Sequence, residues 1–179
     1  MTPGGAGRRG GGGRRGGAGR RGVVVFACGE PERGDDGVSL AVADRIGRRL
    51  EGRAEIRRCG ALEPEHLLDL LPDEACVVVD CVAGIAPGEV IVRSLDALVS
   101  PDGRSVATPR STHLLPVADV LALVRVVRPG LPAGSFVGIG GERFGLGSGL
   151  SPAVEAALPA VVEVIEAEVD RLAAPGPDG

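Results

Sequence analysis

Asp36, Asp80 and His113 are the residues whose types and settings can do chemistry together. Two carboxylates and a neutral imidazole form a ligand set suited to a divalent transition metal. Asp36 stands in Gly29-Glu30-Pro31-Glu32-Arg33-Gly34-Asp35-Asp36-Gly37, with four acids and three glycines in nine residues. Asp80 closes the apolar run that begins at Ala75, and Ser111-Thr112-His113 comes before a helical pattern. Residue types alone leave plainer roles open. Asp35 or Asp36 can cap a helix, because Asp at a helix start accepts backbone N–H bonds. Asp80 can orient a loop by hydrogen bonding, and His113 can belong to a cap with Ser111 and Thr112. His66 falls in an amphipathic segment and is expected at the surface or in packing.

The elements that must position these residues alternate along the chain. Val23 to Cys28 is a continuous apolar run ending in Gly29, the pattern of a strand buried on both faces. A helix fits Val38 to Leu50, with Leu40, Val42, Ala43, Ile46 and Leu50 on one side. A strand is expected from Ala54 to Cys59, and a short helix from Glu65 to Leu71, stopped by Pro72. Ala75 to Asp80 and Glu89 to Ser94 read as strands, Leu115 to Val127 as a helix, and Ser135 to Ile139 as the last core strand. Ser151 as N-cap and Pro152 as first helical residue open a long helix to about Leu172. Its buried stripe is Val154, Leu158, Val161, Val162, Ile165 and Val169.

Strands alternating with helices predict a single-domain α/β fold in three layers, a twisted, mostly parallel sheet with helices on both faces. In such sheets ligands bind just beyond the carboxyl ends of the strands. That rule directs attention to the acidic loop after the first strand and to Asp80.

Other nucleotide and hydrolase chemistries lack their parts. The first loop is acidic and wrongly spaced for a dinucleotide turn, and its carboxylates would repel a pyrophosphate. The chain has no Lys, so a Walker A loop cannot be completed. No GxSxG elbow occurs. The glycine-rich stretch from Gly138 to Gly149 is expected to be a flexible loop before the last helix.

Composition divides the 179 residues into an expected disordered tail (1–22), a folded body (23–174) and a flexible C-terminus (175–179). The tail is almost entirely Gly and Arg and has nothing to anchor a core. It carries six of the 20 basic residues, so the net charge of −4 combines a basic tail with an acidic body. The tail has no aromatic residue to stack on bases, which argues against a nucleic-acid partner. No signal peptide or membrane-spanning run is visible. The cysteines at 28, 59, 76 and 81 lack CxxC spacing and read as small core residues of a reduced, cytoplasmic protein. Oligomeric state is not specified by any of these features.

The order of motifs resembles the hydrogenase maturation protease family. The matching pieces are Gly29 to Gly37, in the form G-x-x-x-x-x-D-[DE]-G, then Val77-Val78-Val79-Asp80, Ser111-Thr112-His113, and Leu150-Ser151-Pro152-Ala153-Val154. The resemblance runs from about Val23 to Leu172. It implies an endopeptidase, aspartic-type by class, that removes a C-terminal peptide from the precursor of the [NiFe] hydrogenase large subunit after nickel insertion. It also implies that Asp36, Asp80 and His113 contact nickel carried by the substrate, with no tightly bound cofactor belonging to the protease. Three departures stand out: Glu30 where the family usually has Asn, Ser39 where Gly is usual, and Cys59-Gly60-Ala61-Leu62-Glu63-Pro64 in place of an Asp-Gly-Gly-Thr-type loop. These changes motivate a second reading, a non-proteolytic metal-checking chaperone of the same fold. A third, a Mg²⁺-dependent small-molecule enzyme, suits the acids but not His113.

Overall fold

A computed structural model describes residues 21–100, 110–111, 116–147 and 149–174, with only the backbone at 110–111. The expected disordered tail and C-terminus therefore lie outside the described residues, apart from Arg21 and Gly22 at the tail's end.

The strands are β1 (Val23–Cys28), β2 (Glu55–Cys59), β3 (Ala75–Ala83), β4 (Val90–Ser94), β5 (Arg110–Ser111) and β6 (Gly134–Gly140). The helices are α1 (Val38–Ile46), α2 (Pro64–Leu68), α3 (Val117–Val127) and α4 (Pro152–Ala173). The sheet runs β2-β1-β3-β6-β4, and β5 pairs with β3. Strands β2, β1, β3 and β6 are parallel, β2 forming one edge, while β4 and β5 are antiparallel to their partners. The mostly parallel α/β sheet expected from the sequence is the architecture found.

Strand alternation sorts the core into two layers. Val23 and Val25 of β1, Val77, Val79 and Cys81 of β3, and Val137 and Ile139 of β6 pack against α1 and α4. Val24, Phe26 and Cys28, Cys76, Val78 and Val82, and Phe136 pack against α2 and α3 on the other face. Both faces of the central strands are buried, which is why β1, and β3 as far as Asp80, read as apolar runs. Each fully buried Val, Leu, Ile or Phe contributes roughly 1.5–3 kcal/mol, so two layers supply ample driving force for one sheet.

Several element ends differ from expectation, among them that of α2, which stops at Leu68 rather than Leu71. α1 stops at Ile46, because Gly47 follows and the chain continues to Leu50 in turns. α2 starts at Pro64, which takes a first-turn position, and His66 joins Glu63 in a capping box through Nδ1. α3 begins at Val117 rather than Leu115, with Pro116 as its N-cap. β3 does not end at Asp80 but continues through Cys81-Val82-Ala83, held by β6 on one side and β5 on the other. Among the described residues no helix is long and apolar enough to cross a membrane.

Candidate active site

The sheet's carboxyl edge gathers the acids. The registers Cys28↔Cys59 and Ala27↔Val79 make Cys59, Cys28 and Asp80 successive members of one row across the sheet. Gly138 pairs with Asp80 on the other side. Side-chain alternation puts Asp80 on the α2/α3 face, between Val78 and Val82, where it is completely buried.

Asp36 reaches the same edge from the loop after β1. A 3-10 turn over Gly34–Gly37 leads directly into α1, and all four of its residues are buried. Neither acid caps a helix from its own sequence neighbourhood: α1 has Gly37 as N-cap, with no side-chain bond. Instead the Asp36 carboxylate accepts the N–H of Glu30 at 2.9 Å, closing the loop on itself. Gly29 permits that closure. Its φ is +141° and a Cβ there would run into the Asp36 carbonyl oxygen.

The neighbouring thiols report where these charges lie. Hydrogen bonding to Cys59, then burial, then the negative charges of Cys59, Asp80 and Asp36 hold the Cys28 thiol well above its ordinary range. Burial and then the charges of Asp80, Asp36 and Asp35 raise the Cys81 thiol too. Cys28 and Cys81 end and line different strands, yet both sense Asp36 and Asp80. The turn that carries Asp36 packs against β3, the strand that carries Asp80, so both acids lie towards the carboxyl end of the sheet.

Asp35 has a separate task. Its carboxylate accepts N–H bonds from Glu142 and Arg143 at 2.9 Å and from Ser151 at 2.6 Å. Its own N–H donates to the Arg143 carbonyl at 2.7 Å, and Gly147 donates to the Glu32 carbonyl at 2.7 Å. Burial alone would raise the Asp35 pKa, but the N–H groups of Ser151, Glu142 and Arg143 outweigh it and leave the carboxyl below its ordinary range. The glycine-rich segment before α4, expected from sequence to be a flexible loop, is thus fastened to the acidic loop through 147. Ser151 is the N-cap of α4 as expected, but without a side-chain cap bond. The Asp35 charge at that helix start takes the place a capping side chain would hold.

Of the three residues singled out from sequence, Asp36 lies in a turn packed against β3, Asp80 lies within β3, and His113 lies outside the described residues. Ser111 pairs with Val82, two positions beyond Asp80. Among the described residues no group of three His, Cys, Asp or Glu side chains is placed to hold a metal ion. Two contributions were missed by sequence reasoning: Asp35 as a clamp, and Cys28 beside Cys59. Nothing local signals either, because both depend on partners far along the chain.

A mostly parallel sheet covered on both faces, with buried acids towards its carboxyl edge, is the setting in which α/β proteins bind their ligands. The family model for hydrogenase maturation proteases (HycI) matches residues 41–168, and the chain belongs to that family, whose members are hydrolases acting as endopeptidases. Among solved structures it is similar to the [NiFe] hydrogenase maturation protease HybD from Thermococcus kodakarensis. That match has 24% identity and a TM-score of 0.61, and covers 84% of this chain and 98% of that one. It is also similar to the hydrogenase maturating endopeptidase HybD from E. coli, with 21% identity, TM-score 0.65, and coverage of 83% and 92%. The Hydrogenase 3 maturation protease matches at 19% identity with TM-score 0.55, covering 80% and 88%. At these identities the structural matches establish the fold. No curated protein matches the chain.

Proposed function

We propose that this endopeptidase removes a C-terminal peptide from the precursor of a [NiFe] hydrogenase large subunit once nickel is in place, reading the metal through Asp36, Asp80 and His113. The nickel belongs to the substrate. The observation that carries the reading is a pair of buried carboxylates on the carboxyl side of the sheet, Asp36 in a turn packed against β3 and Asp80 within β3.

Desolvated acids attract a dication far more strongly than exposed ones, because the local dielectric is low. A set of two carboxylates and one imidazole is incomplete, so it holds a free metal weakly. It becomes a good site when ligands of a precursor complete the coordination sphere. The protease then has no tightly bound cofactor of its own, and cleavage waits for metal loading. His113 enters as the third member of the family's ligand set, two positions in sequence after Ser111, which pairs with Val82. We assign the reaction to the cytoplasm, in keeping with four reduced cysteines. Hydrogenase precursor, not nucleic acid or membrane, is the partner.

His113→Ala tests the assignment. The variant should melt like the wild type and fail to truncate a nickel-loaded precursor, as read by mass. Truncation at the wild-type rate would remove His113 from the site.

A further inference from the structure

Cys28 and Cys59 end neighbouring strands and face each other in register, with their sulfurs 3.1 Å apart. Both are reduced. Two sulfurs on one tetrahedral zinc ion, each bonded at about 2.3 Å, would stand farther apart, near 3.8 Å, so this is not metal-ligand spacing. Neighbouring strands lie about 4.8 Å apart, inside the range of Cα separations that a disulfide spans, about 4.4–6.8 Å. We propose that Cys28 and Cys59 are a reversible disulfide-forming pair, responsive to a small-molecule disulfide such as oxidised glutathione, and that closing the bond shifts the Asp36 loop.

Cys59 is half-buried and Cys28 fully buried, so Cys59 is the entry point. The Cys59 thiolate attacks one sulfur of the oxidant, and the other half leaves as a thiolate. Cys28, kept protonated by burial and the nearby acids, then attacks the Cys59 sulfur as its proton passes to the departing small thiol, which leaves. Two protein thiols are oxidised and one small disulfide is reduced to two thiols.

The main chain links this pair to the acids. Gly29 donates its N–H to the carbonyls of Cys59 at 3.1 Å and Gly60 at 2.9 Å, so the two strand ends are already tied there. Gly29 also touches the Asp36 carbonyl, and Glu30 binds the Asp36 carboxylate. Bringing the sulfurs to a bonding distance of about 2.05 Å moves groups that hold Asp36. The consequence for processing rests on the function proposed above; the bond itself does not.

The full reduced chain is exposed to graded ratios of oxidised and reduced glutathione, then examined by intact mass and peptide mapping. The expected result is loss of two hydrogens and a linked Cys28–Cys59 peptide, reversed by dithiothreitol, absent in Cys59→Ser and retained in Cys76→Ser. A wild-type chain that stays reduced, or stops at a glutathione adduct on Cys59, overturns the pairing. Hydrogen exchange at residues 29–37 reads the coupling without any substrate, and equal protection in both redox states overturns it. With nickel-loaded precursor the disulfide form should process slower on the order of tenfold or more, and Cys59→Ser should not respond to the oxidant. A reduced protein that never processes precursor contradicts the proposed function, while the mass and exchange results still judge the pair.

Discussion

The Asp35 carboxylate accepts the backbone N–H of Ser151 at 2.6 Å, across 116 positions of sequence. One buried acid thereby joins the loop that carries Asp36 to the start of the longest helix. With Glu142 and Arg143 also donating to it, Asp35 fixes the floor against which Asp36 is set. In Asp35→Asn the amide group turns a donor towards those N–H groups and the charge is lost. We expect a stability loss of roughly 3 kcal/mol, read as a lower urea midpoint at an unchanged slope.

Acid should reveal the same contact. The Asp35 pKa is lowered in the fold from an ordinary 3.8. Its stabilising contribution is therefore complete above that ordinary value and is lost as pH falls through the lower folded value. Glu168, half-buried but held by Arg171 and Ser135, is lowered from 4.5 and adds a loss of the same sign. The urea midpoint should fall below about pH 4 in the wild type, and fall less steeply in Asp35→Asn. Parallel curves for the two proteins would count against the clamp.

Gly29→Ala strains the closed loop twice, through a φ of +141° and through contact with the Asp36 carbonyl. A destabilisation above about 1 kcal/mol is expected, together with weakened processing, because the Glu30 N–H is displaced from Asp36. Thermal melting and a processing assay check the two parts.

Asp36→Asn and Asp80→Asn keep side-chain shape and remove one charge each. Both should fold, and both should process nickel-loaded precursor slower by more than about 100-fold, since each removes a proposed contact rather than a supporting one. Near-normal rates in a folded Asp80→Asn would assign that carboxylate to structure alone.

Much of the architecture is legible because both faces of β1, β3 and β6 are buried, so apolar runs mark them directly. The α4 stripe from Val154 to Val169 is equally plain, being one face of a 3.6-residue period. The end of β3 was not legible: Asp80 is a buried acid in mid-strand, and a reading by polarity stops too early. The helix ends moved for local reasons, Gly47 in α1 and the prolines at 64 and 116. The site divides in the same way. Asp36, in the loop after β1, follows from the rule for strand ends; Asp80 was singled out by the same rule but stands three residues inside β3, and Asp35 binds groups 107 to 116 positions away that no spacing can announce. Cys28 and Cys59, 31 positions apart, meet only through sheet register.

Metal-gated cleavage is the centre of the account. The purified protein should be incubated with nickel-loaded and nickel-free large-subunit precursor at equal concentration, with C-terminal truncation followed by mass. The account predicts truncation of the loaded form and an intact nickel-free form. Equal truncation of both would contradict it.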